Sequence, residues 1–531
     1  MLHLIPSVKI LNETEGFLQK PALRYDAAEF DPRLVTALKK LPFDNDGATV
    51  TIALTGTEGE GYTLDITPDE ISITADSAAG AFYAIQTLRQ IFANGTQIPC
   101  LHIEDQPDFP YRGFYHDITR GRVPSVETIK RLIDNLAYYK QNSFQLYVEH
   151  VFEFEETKDI VEKTGYLTKA EMDELDAYCK ENFIEFIPSL NTFGHMHDIL
   201  QQPKYHHLRV ARDFQPTPYY WFDRMCNHTV NPLLDESFDL IKSLINQYES
   251  HFSSKYFNIC CDETASLKRF KGDGEQDNGQ MYLDFVQKII GHVKSKNKTP
   301  MMWADILLEH PETIEQLPQD TLFLNWDYSP NPKEEKVSKF AELKRPQIVC
   351  PGTHSWARFC EIVEFGENNI CNLIDLGRKY GAIGVLNTNW GDWGHPASIE
   401  MACYGMVLGA GKSWAADTKP CDEFYKAVDL LLYGKDGAFD LLRKLSKAHD
   451  LIQWFSFAKT YYEKIATGEY TKRTVPGNIP SEEDCKTAIT ACKELLSQLQ
   501  EPWGNEEYRK EMALAVRGVW VMAELYAKAL Q

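Results

Sequence analysis

No stretch of the chain reaches the ~18 uncharged apolar residues that a membrane-spanning helix needs, which excludes helical bilayer spans. The opening segment MLHLIPSVKILNETEG lacks a basic start followed by an apolar run, so the protein is expected in the cytoplasm. Positive charge is the scarcer sign: 55 Lys and Arg against 77 Asp and Glu give a net charge of −22. Such a surface repels phosphate backbones and anionic lipids, so neither nucleic acid nor a membrane is an expected partner. Cysteine is thinly spread, 12 in 531 residues with no dense framework. Cys179, Cys226, Cys260, Cys261 and Cys403 fall inside apolar runs, where reduced thiols pack as small hydrophobes. Internal repeats and low-complexity tracts are absent.

Several chemistries lack their signatures. There is no HExxH, no G-x-S-x-G elbow, no phosphate loop and no dinucleotide fingerprint, so no cofactor and no metal is expected. A metal enzyme remains a rival on composition alone, since His195, His197, His206, His207, His228 and His251 could supply ligands, but at no fixed spacing.

What is present is a soluble globular balance of 43% hydrophobic and 25% charged residues, with 12% aromatics. Ten Trp and 26 Tyr exceed what a core alone needs, and flat apolar faces suit carbohydrate. Segments 49–54, 61–66 and 70–75 alternate like strands, followed by a helix through Ala81, Ile85, Leu88 and Phe92 that Asp76 or Ser77 can cap. From about 107 to 410, eight short apolar runs alternate with amphipathic stretches: 112–118, 143–149, 184–190, 256–261, 300–306, 321–326, 347–352 and 381–389. Predicted helices between them include 126–140, 170–182, 235–250, 278–296 and 366–379. Eight βα units closed on themselves make a TIM barrel. Beyond about 415 only helices are predicted, over 422–433, 436–460, 482–499 and 506–530. The fold class is therefore α/β: residues 1–106 a small α/β domain, 107–415 a (β/α)8 barrel, 416–531 a helical region.

Polar and aromatic residues follow each run, among them Asp117, Glu149, His150, Asn191 to His195, Asp262, Glu263, Trp303, Asp305, Trp326, Trp356, Trp390 and Asp392. In a barrel all of these converge on the C-terminal face, where active sites lie. The apolar run 256–261 ends in two adjacent carboxylates, Asp262 and Glu263. Two like charges there raise one pKa, which supplies a general acid near neutral pH. Consecutive residues of a strand point apart, so the pair does not flank a scissile bond in the usual way. A substrate that provides its own nucleophile is one solution. Trp303, Trp326, Trp356 and Trp390 are candidates to wall such a pocket, and Asp117 with Arg120 reads as an internal ion pair holding a strand end.

These motifs resemble glycoside hydrolase family 20, the β-N-acetylhexosaminidases. The likeness spans Gly61-Tyr-Thr-Leu and Gly80-Ala-Phe-Tyr-Ala-Ile-Gln-Thr-Leu in the small domain, then Tyr111-Arg-Gly-Phe-Tyr-His-Asp-Ile-Thr-Arg120, Asn191-Thr-Phe-Gly-His195, Cys261-Asp-Glu263 and Trp390-Gly-Asp392. It implies an exo-acting retaining hydrolase that removes terminal β-linked N-acetylhexosamine through an oxazolinium intermediate. By that likeness Asp262 holds the 2-acetamido group, Glu263 is the acid/base and His195 orients the acid. Arg112 would bind ring hydroxyls, Trp390 would floor the pocket and Asp392 would bind outer hydroxyls. The implied partner is a small glycan or glycoconjugate ending in N-acetylhexosamine, with a homodimer left open. The chain departs from the family in its second strand, where Glu149 or His150 stands in for paired aspartates, and near Gly352-Thr-His-Ser-Trp356, which lacks the tyrosine expected at the acetamide oxygen. Two other readings stay open: a non-catalytic carbohydrate-binding protein, and a β-glycosidase using Glu149 or Asp305 as nucleophile.

Overall fold

The computed structural model describes residues 2–210, 228–264, 266–267, 278–458 and 479–529. Cys226 and the ends of the predicted 436–460 and 506–530 helices lie outside the described residues. The chain begins with a six-stranded sheet of β1 (Ile10–Phe17), β2 (Leu23–Arg24), β3 (Ala48–Leu54), β4 (Tyr62–Ile66), β5 (Glu70–Ala75) and β6 (Pro99–Asp105), in the order β1-β6-β4-β5-β3-β2. The β4–β5 hairpin pairs Tyr62 with Ala75 and Ile66 with Ile71, and the Thr67 amide donates to the Glu70 carbonyl to close its turn. Ser77 caps helix Ala78–Ala93, its hydroxyl accepting from the Ala79 and Gly80 amides. Asp76, the other candidate cap, accepts from the Gly61 amide instead. Strand β1 is exposed along most of its length and so carries no alternating pattern that would betray it.

Eight parallel strands close the barrel: β7 (Tyr111–Asp117), β8 (Ser143–Val148), β9 (Glu185–Leu190), β10 (Tyr256–Asn258), β11 (Thr299–Trp303), β12 (Leu322–Trp326), β13 (Gln347–Cys350) and β14 (Gly384–Asn389). β8 and β14 are buried at every position, as strands covered on both faces must be. All eight predicted runs become strands. The fourth is shorter than 256–261 because Cys260, Cys261 and Glu263 have positive φ values of 57°, 65° and 46°, which breaks the pleat after Asn258.

Helix Cys403–Trp414 is buried at all 12 positions and packs outside β14 and β7, as an apolar helix does in an interior. It ends in a junction with the N-terminal sheet. There the Trp414 indole donates to both Asp105 carboxylate oxygens at 3.0 Å, and the buried Lys140 ammonium lies 2.9 Å from the same group. Helices Ala438–Leu451, Glu482–Gln498 and Glu506–Ala529 pack on one another beside the barrel.

Candidate active site

The loops after β9 and β10 are pressed together. Thr192 Oγ1 donates to the Ile259 carbonyl at 2.6 Å, and a Cβ added to Gly194 would fall 2.3 Å from the Asp262 carbonyl oxygen. Only glycine permits that approach. It carries His195 into the barrel mouth with φ 54°, its amide donating to His228 Nδ1 at 2.8 Å. His195 Nε2 then lies 3.3 Å from Asp262 Oδ2 and 3.3 Å from Glu263 Oε2. The expectation that the two carboxylates point apart is therefore overturned. It assumed a pleated strand, and the left-handed turns at Cys260, Cys261 and Glu263 bring both onto one imidazole.

The electrostatics differ from expectation in the same place. Burial alone would lower the His195 pKa, but the Asp262 charge and contacts to Asp262 and Glu263 outweigh it and push the value up to about 10. Burial raises Glu263, yet the adjacent His195 more than compensates and holds it below the ordinary carboxylate value. The raised carboxyls are elsewhere. Asp305 is pushed up to about 7 by burial and by the Asp262 charge, and Asp392 to about 6 by burial, partly offset by Arg120. A like-charge neighbour does raise one carboxyl, but that group is Asp305, because Glu263 has a histidinium beside it.

A second cluster adjoins the first. Arg120, 7% exposed, has Nη1 3.3 Å from Asp117 and 3.1 Å from Asp392, Nη2 donating to the Tyr147 hydroxyl at 3.1 Å, and Nε 3.8 Å from Glu149. Its guanidinium lies 4.7 Å over the Tyr147 ring and 5.1 Å over Trp390. The ion pair read from Asp117 and Arg120 is present, and Asp117 Oδ2 also accepts the Gly391 amide, tying the loop after β14 to β7. His150 faces Asp198 at 3.5 Å.

Arg112 does not belong to this site. It stands at the opposite end of β7, fully buried, donating to Glu60 at 2.6 Å and to the Phe109 and Lys140 carbonyls, with its guanidinium 4.8 Å over Trp414. The second residue of a seven-residue barrel strand lies a strand's length from the C-terminal face, so Arg112 stands away from the place expected of it, and the arginine at that face is Arg120.

The aromatic residues form a continuous wall. Trp303 and Trp390 are buried, with ring centroids 5.9 Å apart, and Tyr115 lies 5.2 Å from each. Trp326 and Trp356 are half-buried and flank Tyr328 at 5.1 Å each. Tyr328 accepts a hydrogen bond from Trp390 Nε1 at 2.6 Å. Tyr328 stands two residues after Trp326, the last residue of β12, and no sequence motif marks it. Among the described residues, two groups place three potential metal ligands within 4.8 Å: Glu149, His150 and Asp198, and His195, Asp262 and Glu263.

A parallel barrel whose C-terminal mouth holds paired carboxylates, a histidine and an aromatic wall gathers its polar groups where barrel enzymes keep their active sites. Two profiles of one family match the chain: "Glycosyl hydrolase family 20, catalytic domain" over residues 109–359, and "Glycosyl hydrolase family 20, domain 2" over residues 14–106. The chain belongs to glycoside hydrolase family 20. It is 28% identical over 284 residues to a beta-hexosaminidase of Porphyromonas gingivalis, a match covering 47% of this chain and 36% of that protein. It is 25% identical over 325 residues to human hexosaminidase D, covering 55% of this chain and 64% of that one. The matched stretches thus span less than two thirds of either relative. Among solved structures, Flavobacterium johnsoniae chitobiase is similar with a TM-score of 0.68 at 17% identity, covering 99% of this chain and 92% of that one. Streptomyces plicatus N-acetyl-beta-hexosaminidase is similar with a TM-score of 0.63 at 19% identity, covering 90% and 98%. These two likenesses concern the fold.

Proposed function

We propose that the protein is an exo-acting, retaining β-N-acetylhexosaminidase in which the 2-acetamido group of the substrate is the nucleophile. The observation that carries this reading is the convergence of Asp262 and Glu263 on His195 beside the Trp303, Trp390 and Tyr328 wall. Asp262 accepts the acetamide N–H and steadies the oxazolinium charge. Trp390 Nε1 can only donate, so the Tyr328 oxygen accepts and its own proton is left for the acetamide oxygen. Tyr328 thus takes the place of the tyrosine lacking after β13. Glu263 protonates the leaving oxygen and later activates water. In the substrate-free site that proton resides on His195, 3.3 Å from Glu263, and desolvation by the bound sugar favours its transfer. Arg120 and Asp392 are placed to bind ring and outer hydroxyls.

The protein-nucleophile alternative is weakened by both of its candidates. Glu149 accepts from the Tyr147 hydroxyl within the Arg120 cluster, and Asp305 is held largely protonated in mildly acidic solution. The test is hydrolysis of matched aryl β-glycosides of GlcNAc, GalNAc, glucose and galactose between pH 5 and 7. Cleavage confined to the N-acetylated pair is expected. Equal cleavage of the plain hexosides would mean a protein nucleophile, and no cleavage would favour the carbohydrate-binding reading. A reducing, cytoplasmic location belongs to the same proposal, supported by eleven described cysteines that are all unpaired.

A further inference from the structure

Three residues just before and within the acid/base segment, Cys260, Cys261 and Glu263, hold left-handed backbone that non-glycine residues keep only where their surroundings impose it. Each is tethered. The Cys260 amide donates to Asn258 Oδ1 and its carbonyl accepts from the Trp303 amide, while the Cys261 carbonyl accepts from the Tyr282 hydroxyl. At Glu263 the tether is Asp305, whose Oδ2 accepts the Glu263 amide at 2.9 Å. Asp305 opens the short segment Asp305–Glu309 directly after β11, so it is anchored on a neighbouring strand rather than on the loop it restrains. Its other oxygen is buried and has no hydrogen-bond partner among the described residues.

We propose that Asp305 is a positioning residue for the general acid: by holding the Glu263 amide it sets the direction in which the Glu263 side chain leaves the backbone, and thereby aims its carboxyl at the leaving oxygen. Asp305 touches neither sugar nor leaving group in this role, and acts through Glu263. The inference rests on the hexosaminidase reading above.

The test compares aryl β-N-acetylglucosaminides with a poor leaving group, phenyl, and a good one, 2,4-dinitrophenyl, which departs without protonation. In Asp305→Ala, kcat for the phenyl glycoside is expected to fall on the order of 100-fold, within the range a positioned general acid contributes, and for the dinitrophenyl glycoside less than about tenfold. Asp305→Asn, whose amide oxygen still accepts the Glu263 N–H, is expected to recover most of the phenyl rate. Equal losses on both leaving groups, or no loss on either, would overturn the proposal. If Asp305→Ala does not fold, as judged by its melting transition, Asp305→Ser carries the same comparison. Wild-type protein that cleaves no N-acetylhexosaminide would refute the hexosaminidase reading itself, whereas an active wild type leaves only Asp305 in question.

Discussion

Arg120 Nη1 lies 3.1 Å from Asp392 Oδ1 and 3.3 Å from Asp117 Oδ2, so one buried guanidinium joins the end of the first barrel strand to the loop after the eighth. Barrel closure and the position of the Asp392 loop are coupled through it. Arg112, eight positions earlier, is equally buried but serves the seam with the N-terminal sheet.

The two arginines are therefore separable. Arg112→Met removes a buried cation facing Glu60 and is expected to cost about 3 kcal/mol of stability, while kcat/KM of the folded fraction stays within a few-fold of wild type. Arg120→Lys, which keeps charge but loses the forked geometry, should lower kcat/KM at least about tenfold with a smaller change in melting temperature. Paired denaturant titrations and initial rates check both.

Removing the two carboxylates should have different signatures. Asp262→Ala is expected to lower kcat for N-acetylhexosaminides about 10²–10⁴-fold with every leaving group, because it assists the nucleophile. Glu263→Gln should spare activated leaving groups and retain ligand affinity. A covalent sugar adduct on Glu149 or Asp305, sought by mass spectrometry of quenched reactions, would contradict acetamide participation.

Tyr328→Phe keeps the ring between Trp326 and Trp356 and deletes only the hydroxyl. A loss of about 10²–10³-fold in kcat is expected, the size seen when one oxyanion-type donor is removed, together with a stability cost of about 1–3 kcal/mol because the buried Trp390 Nε1 loses its acceptor.

The pH dependence of stability follows from His195. Its folded value, about 10, exceeds the unfolded 6.5, so the stabilisation is fully present below pH 6.5 and is lost as pH rises toward 10. Asp392 and Asp305 are also raised, to about 6 and about 7, from 3.8. Their contribution is likewise present at low pH and is lost on ionisation, between pH 3.8 and those values. Melting temperatures across pH 6.5 to 10 should decline more steeply in wild type than in His195→Gln.

The sequence by itself determined the architecture. Ser77 as a cap, the β4–β5 hairpin and eight barrel strands all depend on local propensity and on apolar spacing within a few residues. The same local information marked Asp262 and Glu263, because an apolar run that ends in two carboxylates is visible without any tertiary contact. Only the tertiary structure decided what those residues face. Which of Arg112 and Arg120 stands at the C-terminal mouth depends on which end of a closed barrel each occupies, and the convergence of Asp262 and Glu263 on His195 depends on left-handed backbone held by Gly194, Tyr282 and Asp305, which lie in a loop, a helix and a short helical segment distant in the chain. The pKa values follow the same rule. Each sums the burial and charge of groups from several loops, so the raised carboxyls of the site are Asp305, 42 positions after Glu263, and Asp392.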